Sequence, residues 1–125
     1  MKIFLVRHAS AGKRSEWDGD DSLRPLDERG RQQAQQLVDE LADASFEHIA
    51  SSPYVRCVET VEPLAAARGL ALDADAALAE GAGPEAALEL FRRLDTDLVA
   101  CVHGDLVEAL LGSKRRKGST TELEF

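Results

Sequence analysis

Two short, wholly apolar runs near the opposite ends of the chain constrain its fold more than any other feature. Residues 3–6 read Ile-Phe-Leu-Val, and residues 98–102 read Leu-Val-Ala-Cys-Val. Runs of this length, bounded by polar residues and rich in β-branched and large apolar side chains, are typical of buried strands. We therefore predict that both runs are interior strands of a sheet.

Extended and helical patterns alternate along the rest of the chain. We predict strands at residues 2–6, 46–50, 70–74 and 98–102, helices at 27–42, 55–68, 84–94 and 106–111, and an edge strand at 118–125. Apolar side chains recur at helical spacing, as in Ala34, Leu37, Val38 and Leu41, and again in Ala87, Leu88, Phe91 and Leu94. This alternation favours an α/β three-layer sandwich, with a mostly parallel central sheet, helices on both faces and a C-terminal edge strand.

Imidazole and guanidinium groups follow three of the predicted strands. Arg7 and His8 come directly after the first strand, and His103 follows the fourth. The helix predicted after the second strand brings Arg56 toward the same edge. Because ligands bind beyond the carboxyl ends of the strands in open α/β sheets, we expect an anion site there that contains a nucleophile. The alternative for Arg7 and His8 is that they merely close a strand.

The composition limits the classes of protein that this chain can represent. Its 125 residues, 44% of them hydrophobic, suit one domain that spans residues 1–125. No stretch approaches the ~20 apolar residues of a membrane span, and the opening run is interrupted too soon by Arg7 to be a signal peptide. We therefore expect a cytoplasmic protein with no membrane partner. A net charge of −8 argues against nucleic-acid binding.

Several other conspicuous residues are interpreted as structural. Cys57 and Cys101 lack the spacing of metal ligands and are expected to be small buried residues, so neither a metal nor another cofactor is predicted. The loop 17–21 is acidic enough to suggest a divalent metal, but a solvated turn is favoured. His48 is interpreted as structural. The basic run 114–117 is interpreted as a solvated loop, with guidance of an acidic partner as the alternative.

The motifs of this chain resemble those of a known family. They are Arg7-His8-Ala9, Ser52 to Arg56 with Glu59-Thr60, Leu78-Ala79-Glu80, and His103-Gly104. Together they resemble the histidine phosphatase superfamily, also called phosphoglycerate mutase-like, over nearly the whole chain. Within it, a segment like 23–26 followed by Gly30 is similar to the short phosphohistidine phosphatases of the SixA type. Segments 11–12 and 17–21 look like those of phosphatase domains that follow a MutT-type Nudix domain. Ala9 stands where the family usually has Gly.

The resemblance implies a phosphatase whose nucleophile is His8. A phosphomonoester carries close to two negative charges, so its site needs several fixed donors, and Arg7 and Arg56 are expected to supply them. A neutral imidazole at His8 can then attack phosphorus in line and form a phosphohistidine. His103 is expected to hold the equatorial oxygens as charge spreads over them in the transition state.

Three further residues are predicted at the site through the same resemblance. The family places a carboxylic acid after the third strand to protonate the leaving group, and Glu80 fits that position; a solvated loop carboxylate is the alternative. Gly104 is expected beside the substrate. Arg24 either reaches the phosphate as a third cation or orients the start of the following helix, and the sequence favours neither role.

Three functions remain open at this stage. The first is hydrolysis of a phosphorylated protein or a small phosphoester through phosphohistidine. The second is a nucleotide-processing phosphatase, as in the Nudix-fused domains, and the third is a phosphate-binding module without catalysis. Because segments 9–24 and 76–84 are short, little chain is left for a lid, and we expect an uncovered site that admits a bulky carrier such as a protein histidine. No oligomeric state is predicted.

Overall fold

The computed structural model of the protein describes residues 1–125 and contains five strands and four helices. The strands are β1 (Lys2–Arg7), β2 (His48–Ser51), β3 (Leu72–Ala74), β4 (Leu98–Val102) and β5 (Thr120–Glu124). The helices are α1 (Glu28–Glu40), α2 (Val55–Arg68), α3 (Pro84–Leu94) and α4 (Gly104–Leu111). Three single turns of 3₁₀ helix lie at Arg14–Glu16, Asp21–Leu23 and Ala76–Leu78.

All five strands join one sheet in the order β3-β2-β4-β1-β5. The first four of these pair in parallel, and β5 runs antiparallel to β1 at the edge. The predicted mostly parallel sheet with a C-terminal edge strand is therefore confirmed. In the register, Arg7 lies opposite Val102, and Ser51 lies opposite Cys101. The carboxyl ends of the three central strands thus meet at one edge.

Helices cover both faces of the sheet, as predicted. Successive strand residues face opposite sides, so Ile3 and Leu5 pack in one apolar layer while Phe4 and Val6 pack in the other. The first layer contains side chains of α3 and α4, and the second contains side chains of α1 and α2. These two apolar layers hold the sheet between them and fix the edge at which its central strands end.

Half of the element boundaries match the prediction, and the others differ from it by one or two residues. Helix α1 begins after Asp27, whose side chain accepts a hydrogen bond from the Gly30 N–H at 2.8 Å. Helix α4 begins at Gly104 rather than Leu106, because the His103 carbonyl already accepts the N–H of Val107. In α3 the fully buried leucine is Leu90, whereas the predicted Leu88 and Leu94 are only partly buried. Strand β5 starts at Thr120, because the residues before it form a turn with a glycine at positive φ.

Candidate active site

One polar cavity of about 690 Å³ opens at the carboxyl edge of the sheet. Its wall contains fifteen residues, none of them hydrophobic. Every residue that the sequence motifs predict for the site lines it, namely Arg7, His8, Arg24, Arg56, Glu80, His103 and Gly104. The structure therefore brings together groups that lie up to about a hundred positions apart in the chain.

His8 is held as a neutral ring with one defined tautomer. It follows β1 and is 6% exposed. Its Nδ1 lies 2.8 Å from the carbonyl of Ala9, which only accepts, so Nδ1 carries the proton and Nε2 carries the lone pair. Burial lowers the pKa of His8 from 6.5 to about 3. The hydrogen bond to the Ala9 carbonyl raises this pKa, while the nearby charges of His103, Arg56 and Arg7 lower it further. Nε2 is therefore a free base at neutral pH.

His103 carries its proton on the opposite nitrogen. Its Nε2 lies 2.8 Å from the hydroxyl of Ser52, which also accepts the N–H of Tyr54 at 3.2 Å. Ser52 is fully buried, and because its oxygen already accepts the N–H of Tyr54, we assign its hydroxyl as the donor to Nε2. The proton of His103 is then on Nδ1, which is buried and has no hydrogen-bond partner. The two imidazoles, His8 and His103, lie with their ring centroids 5.5 Å apart.

The guanidinium of Arg7 is fixed from behind by the loop that precedes β5. Its Nη1 donates to the carbonyl of Arg115 at 2.6 Å, while its buried Nε has no partner. Gly104 makes room for this side chain, because a Cβ at that position would lie 2.8 Å from Nη2 of Arg7. The absence of a side chain is therefore what Gly104 contributes to the site.

Arg56 lies deepest in the cavity wall and is 1% exposed. Its Nη2 donates to Oδ2 of Asp21 at 3.0 Å and to Oε2 of Glu80 at 2.7 Å, and its Nη1 donates to the Asp21 carbonyl at 2.9 Å. Partial burial raises the pKa of Asp21, but the hydrogen bond from Arg24 and the charge of Arg56 outweigh it and hold the pKa below its usual range. Sequence reasoning missed Asp21, although its position three residues before Arg24 was an available signal.

Glu80 joins the two sides of the cavity. Its carboxylate accepts hydrogen bonds from Nη2 of Arg14 at 2.8 and 3.0 Å, in addition to the one from Arg56. The same carboxylate oxygen that meets Arg56 lies 3.5 Å from Nδ1 of His103. The two short segments 9–24 and 76–84 thus meet at the wall of the cavity through Arg14 and Glu80. Sequence reasoning did not single out Arg14.

The loop after β1 is shaped by residues of the predicted motifs. Arg24 donates to the carbonyl of Ala11 at 2.6 Å and to Oδ1 of Asp21 at 3.0 Å, so it anchors this loop as well as lining the cavity. The N–H of Ala9 donates to the hydroxyl of Thr60 at 3.0 Å. Asp95 is the only non-glycine residue with a positive φ, so Ala9 occupies its position without backbone strain.

The remaining residues behave largely as interpreted. Cys57 and Cys101 are buried free thiols, and Sγ of Cys57 lies 3.5 Å from Nε2 of His103. His48 begins β2, at the strand end away from the cavity, and its Nε2 pairs with Asp73 at 2.9 Å. In the acidic loop 17–21, Trp17 donates to a backbone carbonyl within a short turn. No three His, Cys, Asp or Glu side chains are grouped as metal ligands.

None of the four helices combines the length and the apolar character that crossing a membrane requires.

Two histidines and two arginines at the carboxyl edge of a parallel sheet are the arrangement that the motifs predict for a histidine phosphatase. Comparison with protein families gives the same class: the model of the histidine phosphatase superfamily (branch 1) matches residues 3–87. The chain belongs to this superfamily. The predicted membership of the histidine phosphatase superfamily is therefore confirmed. The matched region includes His8, Arg56 and Glu80 and ends before His103.

Comparisons with individual proteins refine the position within the superfamily. The chain is 48% identical over 63 residues to an 8-oxo-(d)GTP phosphatase of Mycolicibacterium smegmatis, a match that covers 50% of this chain and 20% of that protein. It is similar to a solved candidate SixA phosphohistidine phosphatase of Agrobacterium tumefaciens, with 26% identity, a TM-score of 0.78, and coverage of 88% of this chain and 73% of that one.

A structure of the protein histidine phosphatase SixA complexed with tungstate shares the fold, with a TM-score of 0.72, 20% identity, and coverage of 99% of this chain and 95% of that one. The 26% identical SixA candidate of Agrobacterium tumefaciens, together with the family match, confirms the predicted similarity to the SixA type. The chain spans a fifth or less of the length of the curated relatives that it matches.

Proposed function

We propose that this chain is a phosphatase that hydrolyses phosphomonoester or phosphohistidine bonds through a covalent phosphohistidine intermediate on His8. The observation that carries the proposal is the state of that ring. Its Nδ1 is committed to the Ala9 carbonyl and its pKa is about 3, so a neutral Nε2 lies in a cavity rich in cationic side chains. A neutral imidazole nitrogen is the form that attacks phosphorus.

The proposed reaction has two displacements at phosphorus. In the first, Nε2 of His8 forms a bond to phosphorus while the bond from phosphorus to the leaving oxygen or nitrogen breaks. In this step Glu80 acts in its neutral carboxyl form, and the leaving group takes the electron pair together with the proton of that carboxyl group. In the second, water attacks phosphorus, the N–P bond breaks with its electron pair returning to Nε2, and a proton of the water passes to Glu80. Inorganic phosphate then leaves.

The remaining polar groups are assigned to the phosphoryl oxygens. Arg7 and Arg56 neutralise their charge, with Arg24 as a third cation on the wall of the cavity. The Nδ1–H of His103, which makes no hydrogen bond in the protein, is assigned to the equatorial oxygens. Gly104 contributes by leaving space for Arg7.

Glu80 and the substrate are expected to compete for the same cations. The Glu80 carboxylate is bound by Arg56 and Arg14 and lies beside Nδ1 of His103, which is where a phosphoryl group is expected. Substrate binding therefore requires Arg56 to exchange this carboxylate for phosphoryl oxygens. The exchange leaves Glu80 at the edge of the cavity, beside the leaving group that it is proposed to protonate.

A phosphorylated protein is the substrate that we favour. The likeness to the SixA candidate supports it, as does the shortness of the segments around the cavity, which leaves room for a bulky carrier. A nucleoside phosphate is the second candidate, supported by the 48% identity to the 8-oxo-(d)GTP phosphatase. Turnover of a phosphohistidine-bearing protein and of nucleoside phosphates, measured side by side, separates the two.

Trapping of radiolabelled phosphate on the protein tests the proposed intermediate. After brief reaction with a labelled aryl phosphate and quenching with base, the wild-type chain is expected to carry acid-labile, base-stable label. His8→Asn should carry none, whereas His48→Asn, which changes a histidine outside the cavity, should label like the wild type. Equal labelling of His8→Asn would exclude His8 as the nucleophile.

A further inference from the structure

The cavity holds more space and more positive charge than one phosphoryl group requires. Its lining contains seven Lys and Arg side chains against three Asp and Glu, in a chain with a net charge of −8. With no hydrophobic residue in its wall, it offers little to an apolar leaving group. The part of the substrate beyond the phosphoryl group is therefore expected to be polar or charged.

Two of these cations belong to the basic run 114–117, for which the proposed reaction has no role. Lys114 and Lys117 both line the cavity, on the α4–β5 loop. Arg14 and Arg56, by contrast, are already paired with carboxylates. Neither lysine has a carboxylate within 4.0 Å, so both ammonium groups are available to an anion.

The loop that carries these lysines is tied directly to the proposed phosphoryl site. The carbonyl of Arg115 accepts a hydrogen bond from the guanidinium of Arg7. The N–H of Gly118 donates to the carbonyls of Arg7 and His8 at 3.1 and 3.0 Å. On its outer side, the carbonyl of Lys117 accepts from Gln33 at 3.2 Å. These contacts hold the backbone of the run at a set position beside His8.

We infer that Lys114 and Lys117 form a second anion subsite, so that the preferred substrates carry another negatively charged group next to the scissile phosphoryl group. The statement about substrates rests on the proposed function, whereas binding of a second anion can be measured without any turnover. The shared chemistry is an anion adjacent to the phosphoryl group. Its sources are a second phosphoryl group, as in a nucleoside diphosphate, or a carboxylate, as in an acidic phosphoprotein segment.

Calorimetric titration with non-hydrolysable phosphonates tests the subsite without any turnover. Methylphosphonate reports the phosphoryl site alone, methylenediphosphonate adds a second phosphoryl-like group, and phosphonoacetate adds a carboxylate. Two exposed ion pairs are expected to make the two-anion probes bind about five- to tenfold more tightly than methylphosphonate at low salt. Salt should reduce this advantage, because exposed charges are screened.

The variant K114Q/K117Q should lose most of the advantage, whereas R116Q should retain it. Arg116 belongs to the same run but does not line the cavity; it lines a neighbouring groove beside α1, to which Lys117 also contributes, so this variant controls for the loss of a positive charge from the run. A gain limited to methylenediphosphonate would assign the subsite to a second phosphoryl group, and a gain for both probes would assign it to anions in general.

Two results would overturn the inference: no advantage of either two-anion probe in the wild type, or an equal advantage in K114Q/K117Q. Failure of the proposed function has a different signature: the wild-type protein would bind the phosphonates but would neither hydrolyse an aryl phosphate nor carry label on His8.

Discussion

At the scale of single residues, the site is defined by which atoms are already bonded and which are not. Nδ1 of His8 is committed to a carbonyl, while Nδ1 of His103 and Nε of Arg7 have no partner. Buried polar atoms nearly always have a hydrogen-bond partner, so a cavity in which several such atoms have none is typical of a binding site. The two Nη groups of Arg56 are held by Asp21 and Glu80, which makes that arginine the point at which substrate and protein compete.

Removal of Arg7 or Arg56 is expected to damage both binding and turnover. Arg7→Ala and Arg56→Ala should each lower kcat/KM for an aryl phosphate by about 100-fold or more, since each loses a charge-assisted contact to the phosphoryl group. Steady-state kinetics measures the effect. Arg116→Ala, outside the cavity, is the control. A change below threefold would place the arginine concerned outside the proposed site.

Replacement of Glu80 should separate binding from catalysis. In Glu80→Gln the competing carboxylate is gone, so inorganic phosphate is expected to inhibit at lower concentration than in the wild type. The same variant should lose about 100-fold or more in kcat on an alkyl phosphate, because the proton donor is missing. Inhibition and turnover assays measure the two effects.

Glu108→Gln is the matched control for Glu80→Gln, since Glu108 lines the cavity without binding an arginine. An unchanged kcat in Glu80→Gln would assign proton donation to another group.

At the scale of the elements, the site depends on the points at which strands turn into helices. Strand β4 ends at Val102, the backbone carbonyl of His103 accepts the first N–H of α4, and Gly104 starts the helix beneath the Arg7 side chain. The segment after β1 is held in a similar way, since Asp27 caps α1 and also accepts bonds from Ser10 and Gly12. These caps fix the loops whose atoms line the cavity.

Gly104→Ala tests the close packing of α4 against Arg7. A Cβ 2.8 Å from Nη2 has to displace the guanidinium, so kcat/KM is expected to fall about 10- to 100-fold through misplacement of a phosphoryl ligand. The melting temperature should not fall, because alanine is a better helix former than glycine. Kinetics together with thermal unfolding measures both. Full activity would show that Arg7 can move without consequence.

At the scale of the whole molecule, one sheet joins the two ends of the chain. The N-terminal strand β1 lies between β4 and the C-terminal strand β5, and the N-terminal amine of Met1 donates to the carbonyl of Phe125 at 3.1 Å. We infer from this continuity that residues 1–125 form a single folding unit. An acidic exterior then surrounds a cationic cavity, an arrangement that favours anions at the site and repels them elsewhere.

The buried His8 should make stability depend on pH. Its pKa is about 3 in the folded protein against 6.5 ordinarily, so between these values the unfolded chain binds a proton that the folded chain does not. The contribution of His8 to the free energy of unfolding is fully present above pH 6.5 and is lost as pH falls toward 3. The free energy of unfolding changes by at most about 1.4 kcal/mol per pH unit through this residue.

Urea unfolding of the wild type and of His8→Asn between pH 4.5 and 7 measures this contribution. The free energy of unfolding of the wild type minus that of His8→Asn is expected to decrease as pH falls, because asparagine does not titrate. Parallel curves would show that His8 takes up its proton equally in both states.

Local sequence determined the elements and the chemical types in the site, while only the tertiary structure decided how those groups are paired. The runs at residues 3–6 and 98–102 predicted central strands because burial on both faces selects apolar side chains at every position. The ends of those strands located His8 and His103, since parallel strands share one carboxyl edge. No local pattern showed that Arg14 bridges to Glu80 across 66 residues, that Asp21 binds Arg56, or that the basic run 114–117 supports Arg7. Such pairings depend on distances that exist only after the loops have closed around the sheet.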